Sequence, residues 1–409
     1  MSVLKSSENI YLSRPGFICA AGNSCDADKF IGSLAAGERG GIKKVVCGLA
    51  GESGAKSFFV GKIADDLLKS TGDKFDMRVL KILDFALSSI EPAVKKAVEK
   101  YGADRVGVCI GSCDNGSELS FKGHKAFFTE GAFPPDYDLK IQGADYPAVF
   151  TARKFGVKGI SLAFSTACSS SASAIIKAKE LIRAGVCDAV IAGGVDVASD
   201  TVLLGFDSLE AVSHGLTNPF SKNRDGINLG EGACVFVLSR DDLDETGIIL
   251  AGAGESSDAS HMTAPLADGT GAAQAMKAAM QEARLTADKI DYVNLHGTGT
   301  HLNDSMEGKG IDLVFGDYKV PASSTKTMTG HTLGAAGSLE LAACFYAIKS
   351  QKLPVHIWDG EPDSEIPPLN FVTALNAQTS LVRRISCCMS NSFAFGGCNV
   401  SLIVQSLTK

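Results

Sequence analysis

The sequence feature that most constrains the fold is a strand–turn–helix–strand unit between residues 159 and 193. An apolar run at 159–164 is short enough for a buried strand, and the Ala-, Ile- and Leu-rich stretch 172–183 is typical of a helix. A second apolar run at 189–193 predicts another buried strand. Because strands joined through a helix pair in parallel with a right-handed crossover, this unit predicts an α/β fold built on a parallel sheet.

The same alternation continues along the chain and restarts after Asp241-Asp242. Before residue 245 it predicts further strands at 10–20, 105–110 and 233–239, helices at 26–36 and 78–101, and surface loops at 37–71. After residue 245 it predicts strands at 248–252, 290–295, 321–324, 385–389 and 400–406, and helices at 271–283, 307–315 and 337–349. We therefore divide the chain into two similar α/β halves, residues 1–245 and residues 246–409.

The stretch Ser165-Thr166-Ala167-Cys168-Ser169-Ser170-Ser171 places Cys168 where a strand turns into a helix. At a helix N-terminus the unpaired N–H groups and the helix dipole favour a thiolate over a thiol, and the small neighbours leave room for a substrate carbonyl. Cys168 is therefore a candidate nucleophile. A single cysteine is more often a buried small hydrophobe, and on this stretch alone that alternative stays open.

Composition and charge argue against several classes of protein. The chain has 409 residues, 45% of them hydrophobic, and its formal net charge of −7 disfavours binding to nucleic acid. Residues 1–17 lack the apolar core of a signal peptide, and no apolar run reaches the length of a membrane span. The 12 cysteines include no CxxC pair, so we expect free thiols, no metal site and a reducing, cytoplasmic location.

Three more Gly-rich stretches follow predicted strands, where α/β sheets present functional side chains. They are HGTGT at 296–300, the stretch 323–331 with Lys326 and His331, and the loop 393–399. Each has a structural alternative, since a histidine beside a glycine turn is more often structural and Gly-Gly can simply permit positive φ. The histidines outside these motifs are His124, His214, His261, His301 and His356.

Four motifs taken together are similar to one enzyme family. TACSSS at 166–171, HGTGT at 296–300, STKTMTGHTLGAAG at 324–337 and NSFAFGG at 391–397 resemble the elongating β-ketoacyl-acyl-carrier-protein synthases, condensing enzymes of the thiolase-like superfamily. The resemblance spans essentially the whole chain, and Glu307 follows His296 at the expected distance. It implies a thiolase-like fold, with two duplicated α/β halves in a layered α-β-α-β-α arrangement, and a cytoplasmic acyltransferase.

The resemblance also assigns roles to the motif residues. Cys168 is expected to hold the acyl group, while His296 and His331 promote decarboxylation of malonyl-carrier protein as neutral imidazoles. Lys326, paired with Glu307, is expected to orient His331. The product is a 3-oxoacyl chain that is two carbons longer.

Other implied roles concern the oxyanion and the route of the substrate. The backbone N–H groups of Cys168 and Phe395 are expected to form the oxyanion hole, with Phe395 and Phe393 on the gating loop. Thr298 and Thr300 are expected to hydrogen-bond the phosphopantetheine arm of the carrier protein.

The implied partners are an acidic acyl carrier protein and a second chain. The candidates for carrier docking are Arg78, Lys81, Lys122 and Lys125. The family is dimeric through strands beside the nucleophile unit, so we expect a homodimer or a heterodimer with a ketosynthase-like subunit. No cofactor, metal, nucleic acid or membrane is implied.

Two positions depart from the housekeeping fatty-acid enzymes. Ala394 replaces the glycine usual between the two Phe residues, which would restrict the gating loop. Asp114 falls where the family lines its acyl pocket, so we expect an acyl chain other than a plain saturated one. The TACSSS sequence of the nucleophile motif is more typical of aryl-polyene and type II polyketide synthases. It favours membership of that branch, in which the enzyme works with a chain-length-factor-like partner.

Three relatives of the fold are weaker alternatives. A degradative thiolase would need a second catalytic cysteine, and an initiating condensing enzyme would use Cys, His and Asn. A chain-length-factor-like subunit would lack the nucleophile, which the presence of Cys168 opposes.

Overall fold

The computed structural model describes residues 9–47, 55–114, 116–135, 137–376 and 383–407. Its strands are β1 (Tyr11–Leu12), β2 (Gly16–Cys19), β3 (Gly22–Asn23), β4 (Ile42–Val46), β5 (Ser57–Gly61), β6 (Val106–Gly111), β7 (Ser161–Phe164), β8 (Ala189–Asp196), β9 (Gly232–Ser239), β10 (Ile248–Ser257), β11 (Tyr292–Asn294), β12 (Pro321–Ser323), β13 (Asn370–Phe371), β14 (Cys387–Phe393) and β15 (Cys398–Ser406). Its helices are α1 (Ala27–Ala36), α2 (Arg78–Tyr101), α3 (Ser117–Glu130), α4 (Tyr146–Phe155), α5 (Ser170–Arg183), α6 (Asp200–Ser208), α7 (Thr270–Ala283), α8 (His301–Phe315), α9 (Lys326–Thr329) and α10 (Ala336–Ser350).

One mixed sheet of 13 strands runs through both halves in the order β13-β12-β11-β14-β15-β10-β1-β9-β8-β6-β7, and β2 pairs with β9 and β3. In the first half the strands lie side by side in the order β7-β6-β8-β9-β1, and in the second half in the order β12-β11-β14-β15-β10. If the five strands of each half are counted along the chain, these two orders are the same. β1 joins them, because Tyr11 pairs antiparallel with Ile249 on one side and Ser239 on the other. The division at residue 245 stays a prediction and falls in the connection between β9 and β10.

Helices lie on both faces of each half-sheet. α5 packs on β6 and β8, α10 packs on β14, and the two helices contact each other, which forms the central layer. α2 covers β9 and β2 on one outer side, while α7 covers β10 and β15 on the other. The thiolase-like, layered α/β arrangement is therefore confirmed, and the N-terminal turns of α5 and α10 meet in the middle of the molecule.

Several elements differ from the sequence-based expectations. The strand predicted at 10–20 is split into two short strands, β1 and β2, and β3 follows just beyond it. The predicted loop region contains the β4–β5 hairpin, with 48–54 outside the described residues. α3, α4 and α6 were not predicted, because their apolar residues do not repeat with a clear helical period. Within the described ranges, every helix is too short or too polar to cross a membrane.

Candidate active site

The nucleophile candidate lies in a strained turn between β7 and α5. Ala167 has a left-handed φ of 51°, and Cys168 follows it in a short 3-10 turn that leads into α5. The Ser170 hydroxyl holds this turn, since it accepts from the Thr166 N–H at 2.9 Å and donates to the Ala167 carbonyl at 2.6 Å. The serines after Cys168 thus stabilise a backbone conformation that a non-glycine residue rarely adopts.

His331 is the side chain that contacts the nucleophile directly. Its Nε2 lies 3.0 Å from the Cys168 Sγ, and both side chains are buried. The backbone of His331 is fixed by two hydrogen bonds: its N–H donates to the Asn228 carbonyl at 2.7 Å, and its carbonyl accepts from the Gly230 N–H at 2.9 Å. The imidazole can therefore take the thiol proton without moving its backbone.

His296 occupies the turn after β11. Glu307 on α8 fixes this turn, because its two carboxylate oxygens accept from the N–H groups of His296 at 2.8 Å and Gly297 at 2.7 Å. The Nδ1 of His296 lies 3.4 Å from the Lys326 Nζ. Since an ammonium group only donates, Nδ1 is the acceptor and the ring proton is on Nε2. The rings of His296 and His331 are 5.4 Å apart, nearly perpendicular.

The predicted pairing of Lys326 with Glu307 is wrong. Lys326 forms an ion pair with Glu340 on α10, and its ammonium contacts His296 rather than His331. Glu307 instead binds backbone N–H groups and acts as a positioning residue. The available signal for Glu340 was its place as the one acidic residue in the otherwise apolar helix α10.

Burial sets the protonation states. It raises the pKa of the Cys168 thiol to about 12, although the nearby Lys326 ammonium acts in the opposite direction. Burial thus opposes the thiolate that the helix N-terminus favours, and the sulfur lies next to a base, His331. Burial and Lys326 lower the pKa values of His296 and His331 well below the usual value, so both imidazoles are neutral.

Two buried charged side chains hold the rest of the HGTGT turn. Asp304 accepts from the Gly299 N–H at about 3.1 Å, and Arg224 donates to the carbonyls of Thr300 at 3.3 Å and His301 at 3.0 Å. Arg224 is itself paired with Asp363, at 2.5 Å. These contacts fix the backbone from which Thr298 and Thr300 extend, a support that the motif alone does not reveal.

A cavity of about 320 Å³ opens from the catalytic residues towards the surface. Its lining includes Cys168, His296, His331, Thr298, Thr300, His301, Phe393, Ala394 and Phe395. The hydroxyls of Thr298 and Thr300 are 3.0 Å apart in its wall. The structure thus brings the nucleophile, both imidazoles and the two threonines to one cavity. His301, to which no motif assigned a role, also lines this cavity.

The ligand atoms of Cys168, His296 and His331 all lie within 4.8 Å of one another. A sulfur and two nitrogens at this spacing match the chemistry of zinc ligands. The neighbouring Lys326 ammonium opposes a cation here, because like charges repel at short range. The arrangement is better suited to a thiol nucleophile and a carbonyl oxygen than to a metal ion.

The loop after β14 contributes the predicted gate. Phe395 is half-exposed, and its ring stacks over Phe206 with centroids 6.2 Å apart. Gly396 has a left-handed φ of 84° and donates its N–H to the Met262 carbonyl at 2.7 Å. Ala394 has φ −106° and ψ 156°, an extended conformation in which its methyl group causes no strain.

Asp114 is not among the residues that line this cavity, and its predicted place in the acyl pocket stays a prediction. The side chain is buried and accepts from the N–H groups of Gly116 at 3.0 Å and Ser117 at 3.3 Å, ahead of α3. It thus holds the turn that enters α3.

The predicted docking residues divide into two kinds. Arg78 is paired with Glu231 at 2.6 Å and also with Asp65, and Lys81 is paired with Asp76 at 3.1 Å. Arg78 and Lys81 are thus held in ion pairs at the start of α2, and their part in carrier docking stays a prediction. Lys122 and Lys125 on α3 are exposed and stay candidates for docking.

Asp196 at the end of β8 is a site residue that sequence reasoning missed. It accepts from the N–H groups of Cys113, Asp114 and Gly334, at 3.0, 2.9 and 2.5 Å. It therefore ties the turn after β6 to the loop that follows His331. The sequence offers one sign of this role: Asp196 follows the Gly193-Gly194 pair at the end of a predicted strand, where α/β sheets place functional side chains.

Comparison with known proteins agrees with this geometry. Residues 54–243 match the N-terminal domain of β-ketoacyl synthases, and residues 247–357 match the C-terminal domain. The chain belongs to the β-ketoacyl synthase family. It is a condensing enzyme of the acyltransferase type.

Two relatives and two solved structures illustrate the similarity. The 3-oxoacyl-[acyl-carrier-protein] synthase 2 of Vibrio cholerae is 36% identical over 75% of this chain and 77% of its own length. The enzyme of the same name from Coxiella burnetii is 34% identical over 87% of this chain and 92% of its own. A chain from the structure of the ketosynthase ApeO in complex with its chain length factor ApeC, from Xenorhabdus doucetiae, is 35% identical with a TM-score of 0.87, over 99% of this chain and 100% of that chain. A β-ketoacyl synthase of Burkholderia phymatum has a TM-score of 0.82 at 27% identity, over 98% of this chain and 100% of its own.

Proposed function

We propose that this β-ketoacyl synthase extends an acyl group held on Cys168 by decarboxylative Claisen condensation with malonyl-acyl-carrier protein. The observation that carries the proposal is the convergence of the Cys168 Sγ with two neutral imidazoles in one buried cavity, with the His331 Nε2 3.0 Å from the sulfur. The product is a 3-oxoacyl-acyl-carrier protein.

The first half-reaction transfers the acyl group. The Cys168 sulfur attacks the carbonyl carbon of the acyl thioester while its proton passes to the His331 Nε2. The carrier thiolate leaves and takes up this proton, so the products are acyl-Cys168 and a free carrier thiol. A base in contact with the sulfur is needed because burial raises the pKa of this thiol to about 12.

The second half-reaction forms the new carbon–carbon bond. The malonyl group loses carbon dioxide, and the Nε2–H groups of the neutral imidazoles of His296 and His331 stabilise the enolate oxygen. For this step the His331 ring proton moves from Nδ1, its place during acylation, to Nε2. The enolate carbon attacks the acyl carbonyl, and the backbone N–H groups of Cys168 and Phe395 form the oxyanion hole. Cys168 then leaves as a thiolate and takes up a proton from solvent, the one proton that the overall reaction consumes.

The cavity wall guides the carrier's arm. Thr298 and Thr300 hydrogen-bond the amide groups of the phosphopantetheine, which enters past Phe395. Movement of Phe395 and Phe393 with their loop separates acylation from condensation. The mechanism generates its carbanion by decarboxylation, so it needs no metal or organic cofactor, and the rate is expected to be unchanged by EDTA.

The direct test supplies purified protein with acyl-carrier and malonyl-carrier protein and measures the 3-oxoacyl product. The wild type is expected to form it, whereas Cys168→Ala forms none. Matched turnover by Cys168→Ala would refute the proposal. Parallel assays with saturated, polyenoyl and aryl-acyl carriers identify the substrate class, and a clear preference for saturated chains would remove the specialised branch.

One observation favours a second candidate role, as the ketosynthase subunit of an aryl-polyene or type II polyketide system. A chain of the complex between the ketosynthase ApeO and its chain length factor ApeC matches nearly the whole of this chain at 35% identity. The partner in this case is a ketosynthase-like subunit without the nucleophile. Condensation that appears only after co-expression with such a subunit would support it, and full activity of the chain alone would oppose it.

The surface offers two features suited to a second ketosynthase-like chain, whether identical or not. In the described sheet β7 is an edge strand that pairs with β6, so its other side is open to a further strand. Four exposed phenylalanines on or just after α3 form what we name the aromatic surface, made of Phe121, Phe127, Phe128 and Phe133. Exposed aromatic clusters are typical of protein interfaces.

The carrier protein is proposed to dock through Lys122 and Lys125 on α3. Reversal of both charges is expected to raise the KM for carrier-bound substrates and leave the rate with a short pantetheine thioester unchanged. An unchanged KM would rule these lysines out as docking residues.

We also propose a cytoplasmic location. All twelve cysteines lie in the described ranges as free thiols, which fits a reducing compartment. Fractionation of cells that express the native chain tests this location.

A further inference from the structure

His356 is a buried histidine that no catalytic motif contains. It lies between α10 and β13, is 3% exposed, and is not among the residues that line the cavity. Its ring stacks on Phe371, with centroids 4.1 Å apart and planes within 11°. A polar ring buried this deeply needs partners for both nitrogens, and its partners lie in two active-site segments.

The hydrogen bonds of His356 define its tautomer. Its Nε2 is 3.2 Å from the Pro219 carbonyl, which can only accept, so Nε2 carries the proton. Its Nδ1 is 3.2 Å from the backbone N–H of Ser324, which can only donate, so Nδ1 is the acceptor. The bond from the Ser324 N–H requires a neutral ring, because a protonated Nδ1 cannot accept. Burial lowers the pKa of His356 to about 3, which keeps the ring neutral.

Ser324 links the hydrogen bond from His356 to two catalytic segments, the turn that carries His296 and the start of the helix that carries Lys326. Its hydroxyl donates to the Gly297 carbonyl at 2.7 Å and accepts from the Lys326 N–H at 3.3 Å. Space here is tight, since a Cβ on Gly297 would lie 2.6 Å from the Ser324 Cβ. A shift of Ser324 would therefore displace the turn that carries His296 and the start of the helix that carries Lys326.

We propose that His356 is a positioning residue for the decarboxylation step. By accepting from the Ser324 N–H, it holds the backbone that keeps the Lys326 ammonium against the His296 imidazole. This inference rests on the proposed condensation, and it assigns His356 to the half-reaction that uses malonyl-carrier protein.

The acylation step depends on other contacts. The His331 backbone is fixed by Asn228 and Gly230, and the Cys168 turn by Ser170. None of these bonds passes through His356. Loss of His356 is therefore expected to slow decarboxylation and leave the acylation of Cys168 near the wild-type rate.

The test compares variants that remove the hydrogen bonds selectively. His356→Phe keeps the stack on Phe371 and removes both bonds, whereas His356→Asn keeps an oxygen close to the Nδ1 position as acceptor for Ser324. The matched control is Thr246→Val. Thr246 is equally buried at 3%, and its hydroxyl donates to the Leu12 carbonyl at 2.7 Å and accepts from the Ile248 N–H at 3.2 Å.

Two rates are measured for each protein: acyl-enzyme formation by intact mass, and carbon dioxide release from malonyl-carrier protein by the acylated enzyme. His356→Phe is expected to release carbon dioxide about tenfold more slowly, the effect of one unsatisfied buried backbone group, with acylation within about twofold of wild type. His356→Asn is expected to recover most of the lost rate. Thr246→Val is expected to keep both rates.

Equal losses in both half-reactions, no loss in His356→Phe, or no recovery in His356→Asn would each overturn the inference. If His356→Phe does not fold, His356→Gln replaces it, since its amide reaches Pro219 but not Ser324. Failure of the proposed function itself is distinguishable, because the wild type would then form no acyl-Cys168 or would not discharge it with malonyl-carrier protein.

Discussion

The buried ion pair between Lys326 and Glu340 gives the sharpest prediction about the site. The two residues are 1% and 4% exposed, and the Lys326 ammonium also contacts the His296 Nδ1 at 3.4 Å. Glu340→Leu removes the carboxylate and leaves a buried ammonium group. Removal of one member of such a pair costs about 3–5 kcal/mol of the free energy of unfolding, because the remaining charge stays desolvated.

The double variant Lys326→Met, Glu340→Leu separates stability from catalysis. Replacing both charged groups by apolar ones of similar size is often close to neutral, so most of the lost stability is expected to return. Decarboxylation is expected to fall about 100-fold, because no positive charge then supports the His296 imidazole at the developing enolate. The pair would thus serve the reaction rather than the fold.

Urea unfolding followed by the fluorescence of Trp358 measures the stability of the wild type, both single variants and the double variant. Carbon dioxide release from malonyl-carrier protein measures the chemistry. Wild-type stability in Glu340→Leu would refute the assigned ion pair. Wild-type decarboxylation in the double variant would refute the role of Lys326.

Three further predictions concern other parts of the molecule. Because burial raises the pKa of Cys168 to about 12 and the thiolate is the reactive form, its alkylation by iodoacetamide should keep rising about tenfold per pH unit from 8 to 10, whereas a model thiol levels off near 9; a plateau near 9 would contradict this. The folded-state pKa of His356 lies below its unfolded value, so its stabilisation is complete above about pH 6.5 and is lost as the pH falls towards 3. The difference in unfolding free energy between wild type and His356→Asn should therefore narrow from pH 7 to pH 4. A difference that widens over this range would contradict the lowered pKa of His356. Phe128→Glu places a charge at an 81% exposed position of the aromatic surface and should convert the dimer to monomer in sedimentation velocity, while unchanged sedimentation would place the interface elsewhere.

Much of the fold follows from local pattern. The helix predicted at 78–101 matches α2, Arg78–Tyr101, because buried residues recur on one side of it from Val79 to Ala97. By contrast, α3 went unpredicted. Gly123 is its one buried residue and its phenylalanines face outwards, so its pattern reflects a surface rather than a core.

The candidate site divides in a similar way. The meeting of Cys168, His296 and His331 was predicted from the resemblance of their motifs to those of the family, and each of these motifs follows a predicted strand. The partner of Lys326 was not predictable from spacing, since Glu340 reaches it from α10 only through the packing of the second half. The protonation state of Cys168 also depends on burial, which a helix N-terminus alone does not reveal.

The most direct test of the account follows the acyl group through one turnover. The protein is incubated with acyl-carrier protein, mapped by peptide mass spectrometry, and then mixed with malonyl-carrier protein. The account predicts an acyl adduct on Cys168 that disappears as one carbon dioxide is released for each 3-oxoacyl product, and that persists in a His296→Ala variant. An adduct on another residue, or one discharged equally fast without His296, would contradict the proposed site.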